Sequence, residues 1–185
     1  YAILAELKIA DAYYALEEYE DAAVAYEMIS LKQGERLRGK TLASVDQLID
    51  LLREDVSGWD YDHQYRVVFE ATLAAGYPFI ATNLDSKTLM SVLMSGEEAG
   101  NEAEYSRYQQ IIDRTPFSEQ QQADLEREID VSHCNLLDDN TARSMSGGQR
   151  LRDAVITANL LTIDKPVTVL IAGLGHVRND RGLPF

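Results

Sequence analysis

Three side chains able to bind a ligand or move a proton follow short apolar runs. Glu27 closes the run over 22–28, Asn83 the run over 77–83, and His176 follows the run over 167–173 with a Gly-Leu-Gly turn between. Singly, each is a common turn or capping residue. Together they are a carboxylate, an amide and an imidazole, and a turn needs no imidazole. If the three runs are parallel strands, their carboxyl ends share one edge of the sheet, where open α/β sheets take their ligands. Gly173 and Gly175 would let the backbone turn and bring His176 over that edge beside Glu27. As a sheet-edge turn residue, His176 would bury little, so its replacement by Ala is expected to cost little stability, within about 0.5 kcal/mol. The stretch is no dinucleotide fingerprint, because Arg178 stands where the third glycine belongs.

A second group lies on a long helix predicted over 141–163, with a possible kink at Gly147-Gly148. Leu151, Ala154, Val155, Ala158 and Leu161 form one apolar face; Gln149 and Asp153 lie opposite, in line with Ile156 and Leu160. A buried aspartate needs a partner, and Arg152 or an imidazole would serve; the alternative is an ordinary exposed i,i+4 pair. His133-Cys134, just before this helix, has the chemistry of a metal or haem ligand but more commonly marks a helix end. His63, in the ring- and acid-rich stretch 58–65, reads as surface packing around Trp59.

The elements that must position these groups follow from periodicity. Helices are expected over 2–18, 41–54 and 62–76, the last stopped by Gly76. Another should run to about Ser95 from a cap at Asp85 or Ser86, and more near 103–112 and 118–131. The resulting class is α/β: a parallel sheet covered by helices, with an inserted helical subdomain. Residues 1–95 and 140–185 would make the body, and 96–139 the helical subdomain or lid. The 185 residues carry a net charge of −14, which argues against nucleic-acid binding. The acid is concentrated before residue 140. The later segment has an excess of base, so Arg143, Arg150, Arg152, Arg178 and Arg181 could border a site for an anion. One cysteine, Cys134, excludes an intrachain disulfide among these residues.

The blocks "AVAYEM", "GWDYDHQYR", "GYPFIATNL", "QRLRDAVITANLL" and "VLIAGLGHVRNDRGLP" run in an order that resembles the ChaN-like haem-binding lipoprotein family of bacteria. The last two are the most specific. The resemblance implies a haem-binding protein of iron or haem uptake, a homodimer, located in the cell envelope. The membrane would be reached only through a lipid anchor outside this chain. It carries Glu27, Gln149, Arg152, Asp153 and His176 over as pocket residues, with Asn83 and Arg178 beside them. A tyrosine would ligate the haem iron, with Tyr105 or Tyr108 as candidates and His133 a weaker one, and arginines would meet the propionates. Apolar subdomain residues would sandwich the ring. The family's earlier strand, ending in Gly-Glu-x-His, is expected upstream of Tyr1, with a secretory signal before it. Distant relatives of similar fold, the Tiki-type proteases and erythromycin esterases, imply an alternative: a metal-dependent or Glu/His hydrolase using Glu27 and His176.

Overall fold

The computed structural model describes residues 22–54, 58–95 and 102–183; the helix expected over 2–18 lies outside them. They form two compact units, one made of the residues up to Asn83 with Thr162–Ile171, the other of Leu84–Leu161 with the residues from Ala172.

The first unit is built on a parallel sheet of three strands in the order β2-β1-β3: β1 (Ala22–Ser30), β2 (Phe79–Asn83) and β3 (Val167–Ile171). All nine residues of β1 are buried, as its unbroken small and apolar sequence requires of a central parallel strand. Tyr26 anchors the core. Its ring stacks on Phe79 and meets Phe69 edge-on, and its hydroxyl lies 2.6 Å from that of Thr72, so the one polar atom of the side chain is satisfied.

Around the sheet lie α1 (Leu31–Leu37), α2 (Val45–Arg53) and α3 (Arg66–Ala74). α1 was missed by periodicity, because it is short and carries a glycine, although its start is a capping box: the Ser30 hydroxyl accepts from the Gln33 amide while the Gln33 side chain accepts from the Ser30 amide. α2 begins at Val45, later than expected, because the Ser44 hydroxyl accepts from the Gln47 backbone and fixes the cap there. The expected helix over 62–76 opens instead as a single π turn, Tyr61–Tyr65, capped by Asp60, before α3. It ends at Gly76, which adopts φ 70°.

The second unit holds α4 (Ser86–Ser95), α5 (Glu102–Arg114) and α6 (Glu119–Ser132), each packed on α7 (Asp139–Leu160). α4 is capped by Asp85, whose side chain accepts from the Thr88 backbone. α7 runs unbroken through Gly147-Gly148; no kink is needed where a helix neighbour simply comes close. Ile156 is buried along with Leu151, Ala154, Val155 and Ala158, so its C-terminal half is covered on both faces. Leu161 is the exception: it is the exposed C-cap, 73% accessible. α4 and α7 therefore pack in the same unit as α5 and α6. Among the described residues no helix is long and apolar enough to cross a membrane.

Candidate functional site

The helical unit brings three of the expected residues together. Gln149 and Asp153 stand one turn apart on α7, on one face. His176 comes from the loop after β3 and is buried, with 7% of its side chain exposed against 13% for Asp153. Its Nδ1 lies 2.6 Å from an Asp153 oxygen. The Gln149 amide nitrogen lies 3.1 Å from Nδ1 and 3.4 Å from Nε2. With the Nδ1 proton donated to the carboxylate, the Gln149 NH2 group can donate only to Nε2. Asp153 and Gln149 together hold the ring in one orientation. The buried aspartate thus has the imidazole as a partner, and the Arg152 guanidinium donates to the Leu84 carbonyl at 3.4 Å.

The burial of His176 corrects the expectation that it is a lightly packed turn residue. The loop closes on itself: the His176 amide donates to the Gly173 carbonyl at 3.0 Å, and the Leu183 amide donates to the His176 carbonyl at 2.8 Å. Gly182 makes this closure possible. A Cβ there would stand 2.6 Å from the carbonyl oxygens of both His176 and Arg178. The loop is also held to α6. Arg178 grips Asp180 through two bonds of 2.8 Å. Buried Arg181 pairs with Asp180 at 2.9 Å and with Glu128, and the Gln121 side chain donates to the Asp180 carbonyl. The Arg178 hydrogen bonds, aided by the nearby Arg181 charge, hold the Asp180 carboxyl down at about 2. Gly182, Glu128 and Gln121 were not singled out in the sequence; only the Arg-Asn-Asp-Arg-Gly run gave a hint of a charged, tightly turned loop.

The basic segment is accordingly well supplied with protein partners. Arg143 faces Glu126 at 3.5 Å, and Arg178 and Arg181 share Asp180. Arg150 donates to the carbonyls of Ile112 at 3.1 Å and Thr115 at 2.6 Å, closing the C-terminus of α5. Beside Asp153 a cleft of about 80 Å³ is lined by Ile111, Phe117, Arg150, Thr157 and Arg181, among others.

Of the tyrosines, Tyr105 is half-buried on α5, whereas Tyr108 is buried. Burial, and then the Glu104 charge, push the Tyr108 phenol up. His133 caps α6: its Nδ1 lies 2.7 Å from the Ile129 carbonyl, at an exposed helix end followed by Cys134 and Asn135 in left-handed backbone. His63 lies 2.9 Å from the Asp60 carboxylate at the entry to the π turn.

Glu27 and Asn83 belong to the sheet unit. β1 runs on to Ser30, so Glu27 does not end it; it follows the last residue, Tyr26, paired with β3, and sits where the register with β2 shifts. Such irregularities re-aim side chains. Glu27 is buried, and its charge is the second cause, after burial, that pushes the Tyr65 phenol up to about 12. Asn83 ends β2 as expected and is buried. β3 ends at Ile171, so His176 lies in the loop beyond it.

A family model described as haem-binding uptake, Tiki superfamily, ChaN, matches residues 2–185. The chain belongs to the ChaN family. A solved structure described as "Cofacial heme binding to ChaN of Campylobacter jejuni" is similar over 98% of this chain and 68% of that one, with a TM-score of 0.71 and 16% identity. At that identity the likeness shows a shared fold, in agreement with the α/β class expected. No curated protein matches this chain. Among the described residues, no group of three or more His, Cys, Asp or Glu is arranged to hold a metal ion.

Proposed function

We propose that this protein binds haem and serves haem or iron uptake. The observation that carries this reading is its membership of a haem-binding uptake family over nearly its whole length. The donor chemistry fits. Tyr105 offers a half-buried phenol on α5, and Met90 and Met94 on α4, one turn apart, expose 53% and 78% of their surface. Exposed apolar side chains at helical spacing suit the flat face of a porphyrin. The cleft of about 80 Å³ beside Asp153 is far too small to enclose one, and the exposed methionine face of α4 is the surface offered to the ring. When bound, haem iron supplies a ligand-binding and redox-active centre tuned by its axial group.

The chain's own residues would divide the work. Tyr105 would ligate the iron in preference to Tyr108, whose burial and Glu104 neighbour disfavour the phenolate. The Asp153–His176–Gln149 group would orient the loop after β3. His133, engaged with the α6 carbonyls, is the least suited ligand. Homodimer formation, a lipid anchor outside this chain and a place in the bacterial cell envelope complete the proposal.

The test is the absorption spectrum of haem-loaded protein and its Tyr105→Phe and Tyr108→Phe variants. Tyr105→Phe should abolish the spectrum of the phenolate-ligated iron, and Tyr108→Phe should leave it. The reverse result would move the ligand to Tyr108, and no change in either would remove tyrosine ligation.

A further inference from the structure

α4 carries two apolar rows. Leu89 and Leu93 turn inwards: a Cβ on Gly148 of α7 would stand 3.0 Å from Leu93 Cδ1 and 3.8 Å from Leu89, so the two helices close on each other there. Met90 and Met94 stand one position further round, one turn apart, and face outwards. The chain's other methionines are Met28, buried in the core of the sheet unit, and Met145, half-buried on α7. A leucine at 90 or 94 would offer a porphyrin the same kind of apolar surface. What a thioether adds is a sulfur lone pair open to oxidants, and its oxidation turns a flexible apolar side chain into a polar one.

We infer that Met90 and Met94 are a reversible oxidation site, at which hydrogen peroxide turns the outer face of α4 polar and weakens its hold on haem. The effect on haem rests on the proposed function, which places the ring against these residues; the modification itself does not. A sulfur lone pair attacks one oxygen of the peroxide. The S–O bond forms as the O–O bond breaks, and the proton on the transferred oxygen passes to the departing hydroxide, which leaves as water. Sulfur is oxidised and the peroxide reduced, and no other reactant is needed. The pair is the exposed one among the four methionines, whereas Met28 is only 2% accessible and shielded from the oxidant. Because the seat of α4 on α7 is made by Leu89 and Leu93, the sulfoxides leave the helix in place and change only what it shows to a ligand.

The test uses the full chain carrying Cys134→Ser, which removes the one exposed thiol that would compete for the oxidant. Haem-free protein is treated with hydrogen peroxide, the excess is destroyed with catalase, and the added oxygen is located by peptide mass spectrometry. It should appear on Met90 and Met94 well before Met28 and Met145. Haem is then titrated into treated and untreated protein. Oxidation should weaken haem about tenfold, and methionine sulfoxide reductases for both epimers, with a thiol reductant, should restore the affinity. In the Met90→Leu, Met94→Leu double variant, peroxide should leave the affinity of that variant where it was. Oxygen spread evenly over the four methionines, unchanged haem affinity once the pair is oxidised, or an equal loss in the double variant would overturn the inference. A dye that fluoresces on exposed apolar surface separates this inference from the proposed function. If the untreated protein takes no haem, the proposed function fails. The oxidation site then stands on selective oxidation of the pair with a reversible loss of dye signal, and falls if either is missing.

Discussion

His176 and Asp153 hold each other in a buried pair. Taking away either partner leaves a polar group short of water and short of a bond. His176→Ala and Asp153→Asn are each expected to cost about 2–4 kcal/mol, read as a lowered denaturation midpoint with unchanged slope. A loss within about 0.5 kcal/mol, the range of ordinary surface changes, would return His176 to the status of a turn residue. Residue identity was the most legible level of the sequence. The need of a buried Asp153 for a partner followed from the cost of burying a carboxylate, with Arg152 and an imidazole both open as that partner. What could not be read was the burial of His176, which depends on Gly182 letting two carbonyls approach and on Glu128 reaching the loop from α6.

The elements show where local rules succeed and where packing overrides them. Gly147-Gly148 suggested a kink, yet α7 is continuous, and a Cβ at Gly147 would meet nothing within 4 Å. Gly147→Ala should therefore stabilise the protein by about 0.5–1 kcal/mol through helix propensity alone, seen as a raised melting temperature. Destabilisation would mean that the helix bends there in solution. α1 went unread because seven residues are too few for periodicity, although its capping box was visible in Ser30-x-x-Gln33. The loop after β3 makes an acid-sensitive prediction. Asp180 titrates at about 2, below its ordinary 3.8. A carboxylate with a lowered folded-state pKa stabilises the fold above its ordinary value and loses that contribution as pH falls from there through about 2. Asp180→Asn should remove this component from the pH dependence of unfolding in that window. The difference should shrink in high salt, because the group is exposed. Identical acid profiles for the two proteins would contradict the role given to the Arg178–Asp180–Arg181 cluster.

At the scale of the whole molecule, the three parallel strands and the helix-rich segment between the second and third were legible from apolar runs and helical spacing. The grouping was not: α4 and α7 share a unit with α5 and α6 because all three shorter helices close on α7, a long-range fact that local sequence does not encode. Family membership rests on blocks spread along the chain, and haem binding is the property it implies. If haem lies against the proposed Met90 and Met94 face, two chains would be needed to cover the ring. Sedimentation should then show association on adding haem, and a monomer with and without haem would contradict the proposed homodimer. The most direct test of the account is a titration of this protein with haem, followed in the Soret region. A saturable shift with an equimolar endpoint per chain is predicted; a spectrum that remains the sum of free haem and free protein at every ratio would contradict it.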